Sequence, residues 1–484
     1  MAIHSRRLGV GVMGGTLAAA VLSAHAITGP TSSASPYVLR AEPGVVSAAI
    51  LTVGDSVGGY RLAGIPDGLG AFDNGNGTFT LLVNHEIRET LGVTRAHGAK
   101  GAFVSKWIIR KDDLAVLDGS DLIQEVATWN AATGSWNAPA KGVLISRFCS
   151  ADLPPVSALY DARSGLGYPG RIFLNGEETS PSQEGRIFAH LMDGTSYELP
   201  ALGKASWENV LARPDTGLRT VVAGLDDSSG SVAGQVYFYV GEKVGSANPV
   251  EAAGLAHGVL YGIQVGGFAT EPDDGIPDDT PFSVYPFGDV SGMTGAQIES
   301  ESIAHNVTAF KRPEDGAWDP SNPNDFYFVT TATFTGPSRL WRLRFRDGAH
   351  PEAGGTISMM LDGTEGHHML DNVTINRRGQ IFLQEDPGVP SVAPDYLAAI
   401  WRYTIETDTL ERVAQHDPRR FVLGGEGFLT RDEESSGIID VSDILGNGWF
   451  LLDVQAPYNI GDPELVAGGQ LLALHVPPGR GSRE

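Results

Sequence analysis

Carboxylates and carboxamides recur in this sequence at the ends of short apolar runs. They stand at Asn84-His85-Glu86, Glu177-Glu178, Trp207-Glu208-Asn209, Arg312-Pro313-Glu314-Asp315, Asp371-Asn372, Glu385-Asp386 and along the acidic stretch from Glu426 to Glu434. Oxygen donors of this kind suit hard cations, Ca²⁺ or Mg²⁺, better than zinc. Histidine is not spaced for a metal: no H-x-x-x-H occurs, and the adjacent His367 and His368 would face opposite sides of a strand. A second oxygen-rich run, Glu271 to Asp279, is built around Gly275 and is suited to calcium in composition, as it is to a solvated acidic loop. Cys149 is the only cysteine, so no disulfide forms within the chain. It is either a small buried hydrophobe or a metal thiolate. Arg312, two residues from Glu314, would clamp a phosphate or carboxylate oxyanion beside a cation site. The same residues also allow the blander arrangement in which Arg312 pairs with Glu314 or Asp315 and holds its own turn. No G-x-S-x-G elbow, Walker loop or dinucleotide-binding glycine pattern is present, which removes the common serine hydrolases, nucleotide kinases and dehydrogenases.

The elements that carry these groups repeat. Short strands rich in aromatic and aliphatic residues run from Gly77 to Glu86, Gly170 to Glu178, Gly234 to Glu242, Asp325 to Thr331, Gly379 to Asp386 and Gly448 to Asp453. Most end on an acid. Their starts lie further apart than the ~40–50 residues of regular propeller repeats, so loop insertions are expected, notably across 91–159 and 252–301. The pattern predicts an all-β fold, a six-bladed β-propeller with long loop insertions. If each such strand is the innermost of its blade, the terminal acids gather at the mouth of a central metal-binding channel. Like charges so close require cations between them.

Bulk composition agrees. Gly 62 and Pro 29 among 484 residues supply many turns, and 42% hydrophobic residues fill a large core. A formal net charge of −24 repels nucleic acid and anionic membranes and concentrates cations. Residues 1–26 read as an export signal: Arg6-Arg7, an apolar stretch from Leu8 to Leu22, and Ala24-His25-Ala26 as a cleavage site. Ser5-Arg6-Arg7 is twin-arginine-like. Residues 27–484 are then one propeller domain, periplasmic or extracellular, with no transmembrane anchor, and expected to be a monomer.

At these residues the chain resembles the PhoX-type secreted alkaline phosphatases. The matching stretches are LLVNHE (81–86), RFC (147–149), FLNGEE (173–178), LGKASWEN (202–209), RPED (312–315), LDNVTINRRGQIFLQED (370–386) and ESSGIIDVSDILGNGWFLLDVQ (434–455). They span most of the chain in order. The resemblance implies a six-bladed propeller, exported through the twin-arginine route, with calcium and iron in its channel. Carried over residue by residue, Cys149 would be the thiolate ligand of an iron pair. Glu178, Glu208 and Glu314 would be metal-binding carboxylates, Asn84 and Glu86 would belong to the calcium set, and Arg312 would contact the substrate phosphate. The family's glycine-rich, Trp-containing stretch after its cysteine is replaced here by Ser150 to Pro169.

The expected function is therefore that of a calcium-dependent phosphoesterase, with iron as a further cofactor, acting on small phosphate monoesters. Arg312 and Glu314 are its catalytic candidates. Asn84, Glu86, Cys149, Glu177, Glu178, Glu208, Glu314, Asp371, Asn372, Glu385 and Asp386 are its metal-site candidates. The alternatives are a phytase-like or lactonase-like propeller esterase using channel calcium, and a non-catalytic calcium-stabilised extracellular binding propeller.

Overall fold

Strands dominate the chain because its apolar residues alternate along short turn-bounded segments rather than recurring at helical spacing. The computed structural model describes residues 26–179, 182, 184–228 and 234–479. Most of the export-signal segment lies outside the described residues. Six antiparallel four-stranded meanders follow one another. Their first strands are Pro66–Asp73, Phe148–Asp152, Trp207–Ala212, Pro313–Trp318, Leu370–Ile375 and Glu434–Asp440. Each first strand touches that of the next meander, and the sixth touches the first, closing a ring. Closure uses both ends of the chain: Val46–Thr52 pairs antiparallel with Gly468–His475 as the fourth strand of the last meander. Thr280–Gly288 joins the third and fourth meanders into one nine-stranded sheet by pairing with Val259–Val265 and Gly355–Leu361.

The meanders pack face to face, so a strand between two neighbours must be apolar on both sides. Asp325–Thr330 shows the rule. Phe326 and Phe328 join Phe238, Phe345 and Trp341 on one side. Tyr327 and Val329 join Leu383 and Tyr403 on the other. Each such buried aromatic contributes on the order of 1.5–3 kcal/mol over exposure, and this two-sided pattern is what produced the repeated apolar runs.

Two expectations about organisation are corrected. Five of the six repeats are second strands of their meanders, not innermost ones: Thr78–His85, Ile172–Glu177, Asp325–Thr330, Gln380–Glu385 and Trp449–Ala456. The sixth, Val236–Glu242, is a third strand and ends at exposed Glu242. The second strand of that meander is Arg219–Asp226. Second strands are buried along almost their whole length, whereas third strands such as Phe103–Arg110 and Arg339–Phe345 expose part of theirs, which is why second strands dominate the pattern. The stretches 91–159 and 252–301 are likewise not only insertions. The first holds Phe103–Arg110, Val116–Asp121 and Phe148–Asp152. The second holds two strands and the helix Gly295–Ala304, capped by Thr294 through a reciprocal bond with Gln297.

Candidate metal centre

The site is built from two repeated positions. The first is a bulge near the start of each first strand, where two residues oppose one and the extra side chain is re-aimed. In five meanders the first residue of that bulge is Asp67, Cys149, Glu208, Glu314 or Asp371. In the sixth it is Gly437, where a Cβ would lie 2.8 Å from Asp453 Oδ2. The second position directly follows the second strand. Its backbone N–H donates to the carbonyl of the residue just ahead of the first strand. These bonds are Glu86 to Ile65 (2.9 Å), Glu178 to Arg147 (2.9 Å), Asp227 to Ser206 (2.8 Å), Thr331 to Arg312 (3.0 Å) and Asp386 to Met369 (3.0 Å). One recurrent hydrogen bond therefore brings the strand-end residue of five meanders, an acid in four of them, beside the bulge.

The result is a connected set of donors. Asp67, Glu86 and Cys149 form one group whose ligand atoms lie within 4.8 Å of one another; Cys149, Glu178 and Glu208 form a second. Glu208, Glu314 and Asp371 form a third, and Asp371, Asp386 and Glu434 a fourth. Shared members link all four, giving eight carboxyls and one thiol. Two guanidiniums stand against them. Arg147 binds Glu86 through Nε (2.7 Å) and reaches Glu178 Oε2 at 2.5 Å. Arg312 grips Asp227 in a two-pronged contact, 2.8 Å at each prong, and Glu314 Oε1 at 2.9 Å.

Two positive charges do not neutralise this set. Burial pushes the carboxyls of Asp67, Glu208, Glu314, Asp371 and Glu434 well above the usual range, and neighbouring acids push them further. Glu178 is raised to about 8, by burial first, against the pull of Arg147. Asp386 is raised to about 6 by burial. Burial and the surrounding acids also raise the Cys149 thiol, which donates toward Asp67 at 3.6 Å. Arg312 is held more firmly protonated, because Glu314 and Asp227 outweigh its own burial. Orphaned atoms show that the donor set fits a cation: Asp67 Oδ1, Glu208 Oε1 and both amide atoms of Asn372 are buried without a hydrogen-bond partner among the described residues. Hard oxygens with one thiol fit calcium together with a metal that accepts sulfur, such as iron.

The expected site residues are distributed unevenly. Glu86, Cys149, Glu178, Glu208, Glu314, Asp371 and Asp386 lie in the connected groups. Arg312 lies on their edge, and its contacts include the Glu314 pairing of the blander reading. Asn84 lies beneath: its Nδ2 donates to the carbonyls of Cys149 (2.8 Å) and Ser150 (3.2 Å), holding the bulge. Glu177 is occupied by Arg186 and the Ser146 N–H. Glu385 accepts from the His368 and Ala399 N–H groups, Tyr396 and Trp401. Three acids of 271–279 are also engaged: Glu271 with Arg339, Asp273 with Lys311, and Asp278 with the Met359 N–H. Asp67, Arg147 and Asp227 were not anticipated. A signal exists for Asp67, a bulky residue, a candidate ligand and a small or polar residue in Pro66-Asp67-Gly68, Phe148-Cys149-Ser150, Trp207-Glu208-Asn209, Pro313-Glu314-Asp315 and Leu370-Asp371-Asn372.

Asn84 is itself held by a buried relay. Asn175 Nδ2 donates to Asn84 Oδ1 (2.9 Å), and Asn175 Oδ1 meets His190 Nε2 (2.9 Å). His190 Nε2 therefore carries the proton, and Nδ1 accepts from Ser196 (2.7 Å). Burial lowers the His190 pKa from 6.5 to about 3. The unfolded chain takes up this proton near neutrality and the native state does not. The contribution is whole above the unfolded value and is lost as pH falls toward the folded one. From about pH 6 to pH 4, this group should remove about 1.4 kcal/mol of stability per pH unit. Urea unfolding of wild type and His190→Asn side by side should differ by that slope, since His85, likewise lowered to about 3 by burial, contributes equally to both.

No family model matches the sequence, and no curated protein is significantly similar to it. Among solved structures, PhoX of Pseudomonas fluorescens in complex with vanadate, a transition state analogue, is 13% identical with a TM-score of 0.65, covering 93% of this chain and 97% of that one. The chain thus has a PhoX-like fold. A gluconolactonase of Xanthomonas campestris, 12% identical over 93% of this chain and 97% of its own, reaches a TM-score of only 0.37, too low to bear on the fold. Among the described residues no helix is long and apolar enough to cross a membrane.

Proposed function

We propose that this chain is a metal-dependent phosphoesterase of the PhoX type that hydrolyses small phosphate monoesters. In this reading the six meanders are blades around a central channel, residues 1–26 are an export signal, and residues 27–484 are the exported domain. One observation carries the reading: a linked set of eight carboxyls, five of them buried and three half-buried, and one thiol, edged by the guanidinium of Arg312. The fold shared with PhoX, solved in complex with vanadate, a transition state analogue, supports it.

Bound calcium and iron would supply charge stabilisation at the phosphoryl oxygens. Cys149, Glu178, Glu208 and Glu314 would hold the thiophilic metal, and Asp67, Glu86, Asp371, Asp386 and Glu434 the calcium. Arg312 keeps Nη1 unspent at the cluster's edge, and its two N–H groups suit non-bridging phosphate oxygens. Asp227 fixes the opposite edge of the planar guanidinium by its two-pronged contact, so the remaining donors are already oriented when charge develops on the phosphoryl group. Buried surroundings strengthen each of these contacts.

Elemental analysis of the purified protein, with an assay on p-nitrophenyl phosphate, tests the reading. Calcium, iron and turnover are expected together. Calcium without turnover would move the weight to an esterase or a binding protein. Cys149→Ser should lose iron and most activity yet retain its melting temperature in excess calcium. Full iron occupancy in that variant would remove the thiolate from the site.

A further inference from the structure

Arg147 lies outside the roles assigned above, yet its place in the fold and its choice of partners repeat those of Arg312. Each arginine stands two residues ahead of a bulge ligand, in Arg147-Phe148-Cys149 and Arg312-Pro313-Glu314. Each has a left-handed backbone, φ 43° at Arg147 and 61° at Arg312, which strains a non-glycine residue and persists where the surroundings enforce it. Ile65 and Met369 occupy the same position in their meanders, with φ 51° and 44°. The strained turn is thus a feature of the fold, and arginine is what two meanders put there. Each carbonyl accepts the recurrent bond described above. Each guanidinium reaches back to the strand-end acid of the preceding meander, Glu86 for Arg147 and Asp227 for Arg312, and then to an acid of its own meander.

Exposure sets the pair apart from the floor beneath it. The side chains of Arg147 and Arg312 are 22% and 31% exposed, against 8% for Glu178 and 3% for Glu314. Both arginines spend Nε and Nη2 on carboxylates, and neither Nη1 donates to any described residue. Glu178 lies within the field of both. Two half-committed guanidiniums at the edge of one acid cluster suit an anion with several oxygens.

We infer that Arg147 is a second substrate-binding guanidinium, which grips the phosphoryl group of a monoester opposite Arg312. Cations taking Glu86 and Glu178 would compete for the carboxylates that now hold Arg147 and release its donors, so anion binding and metal loading are coupled in the same direction. The inference rests on the phosphoesterase reading.

Calorimetric titration of inorganic phosphate into calcium- and iron-loaded protein tests it, alongside metal analysis of each variant. Arg147→Ala should weaken phosphate by at least about tenfold, the ~1.4 kcal/mol that one lost charge-assisted hydrogen bond is worth. Metal content should be unchanged, and KM for p-nitrophenyl phosphate should rise in parallel. Arg147→Lys keeps a positive charge beside Glu86 and Glu178 but loses the fork, so it should recover only part of the affinity. Wild-type phosphate affinity in Arg147→Ala, with Arg312→Ala impaired, overturns the inference alone. Loss of metal in both Arg147 variants also overturns it, since Arg147 would then be a structural counter-ion. A wild type that takes up metal but no phosphate overturns the phosphoesterase reading, and this inference with it.

Discussion

Arg312→Ala is expected to cut turnover of p-nitrophenyl phosphate by about 10²–10³-fold, the usual cost of removing one oriented donor from a dry site. Arg312→Lys should be nearly as impaired, because the ammonium restores charge but not the planar fork that Asp227 holds in place. Metal content should survive in both variants, since arginine is not a cation ligand. The competing account makes Arg312 a tie for its own turn. Its contact with Glu314 and its left-handed backbone are compatible with that account taken alone. It makes the opposite forecast: a lower melting temperature and near-normal turnover per folded molecule. Melting curves run beside the assay separate the two, and normal turnover in Arg312→Ala would remove the clamp.

Stripping the metals should have the largest effect on stability. Eight carboxyls that share ligand groups are then left with two guanidiniums as counter-charges. Each cation at a thousandfold excess over its Kd stabilises the native state by about 4 kcal/mol. An excess of chelator should therefore lower the melting temperature substantially, with recovery on adding calcium. The pH dependence has a definite sign. Glu178 is raised to about 8 and Asp386 to about 6 by burial, so the native state keeps protons that the unfolded chain releases near pH 4. In chelator these groups stabilise fully below their unfolded values, and that contribution is lost as pH rises through the folded ones. The melting temperature of stripped protein should thus fall between about pH 5 and pH 8, and calcium should flatten the decline. A melting temperature indifferent to chelator at every pH would remove the metal centre.

The strand repeats were legible in the sequence because they report burial on both faces, a local property of alternating aromatic and aliphatic residues. Phe326-Tyr327-Phe328 carries that information without reference to any distant segment. The strand-end acids were legible for the same reason, since Glu86, Glu178 and Asp386 punctuate those runs. What the sequence determined, then, was strand content, the acidity of the strand ends and the likeness in Asn84 to Glu86, Cys149 and Arg312 to Glu314.

Tertiary structure decided which acids meet. Asp67 reaches the cluster because the first meander packs against the second, where it meets Cys149, and Glu434 because the sixth packs against the fifth, where it meets Asp371 and Asp386. Asp227 enters because Arg219–Asp226, not the more aromatic Val236–Glu242, is the second strand of its meander. Glu177 and Glu178 are adjacent and chemically alike, yet strand alternation turns the first to Arg186 and the recurrent backbone bond delivers the second to the site. Glu385 and Asp386 divide in the same way, one spent on Tyr396 and Trp401, the other beside Asp371. One residue of register separates a structural carboxylate from a candidate ligand, because side chains on a strand alternate faces and only the pairing partner fixes which face looks inward.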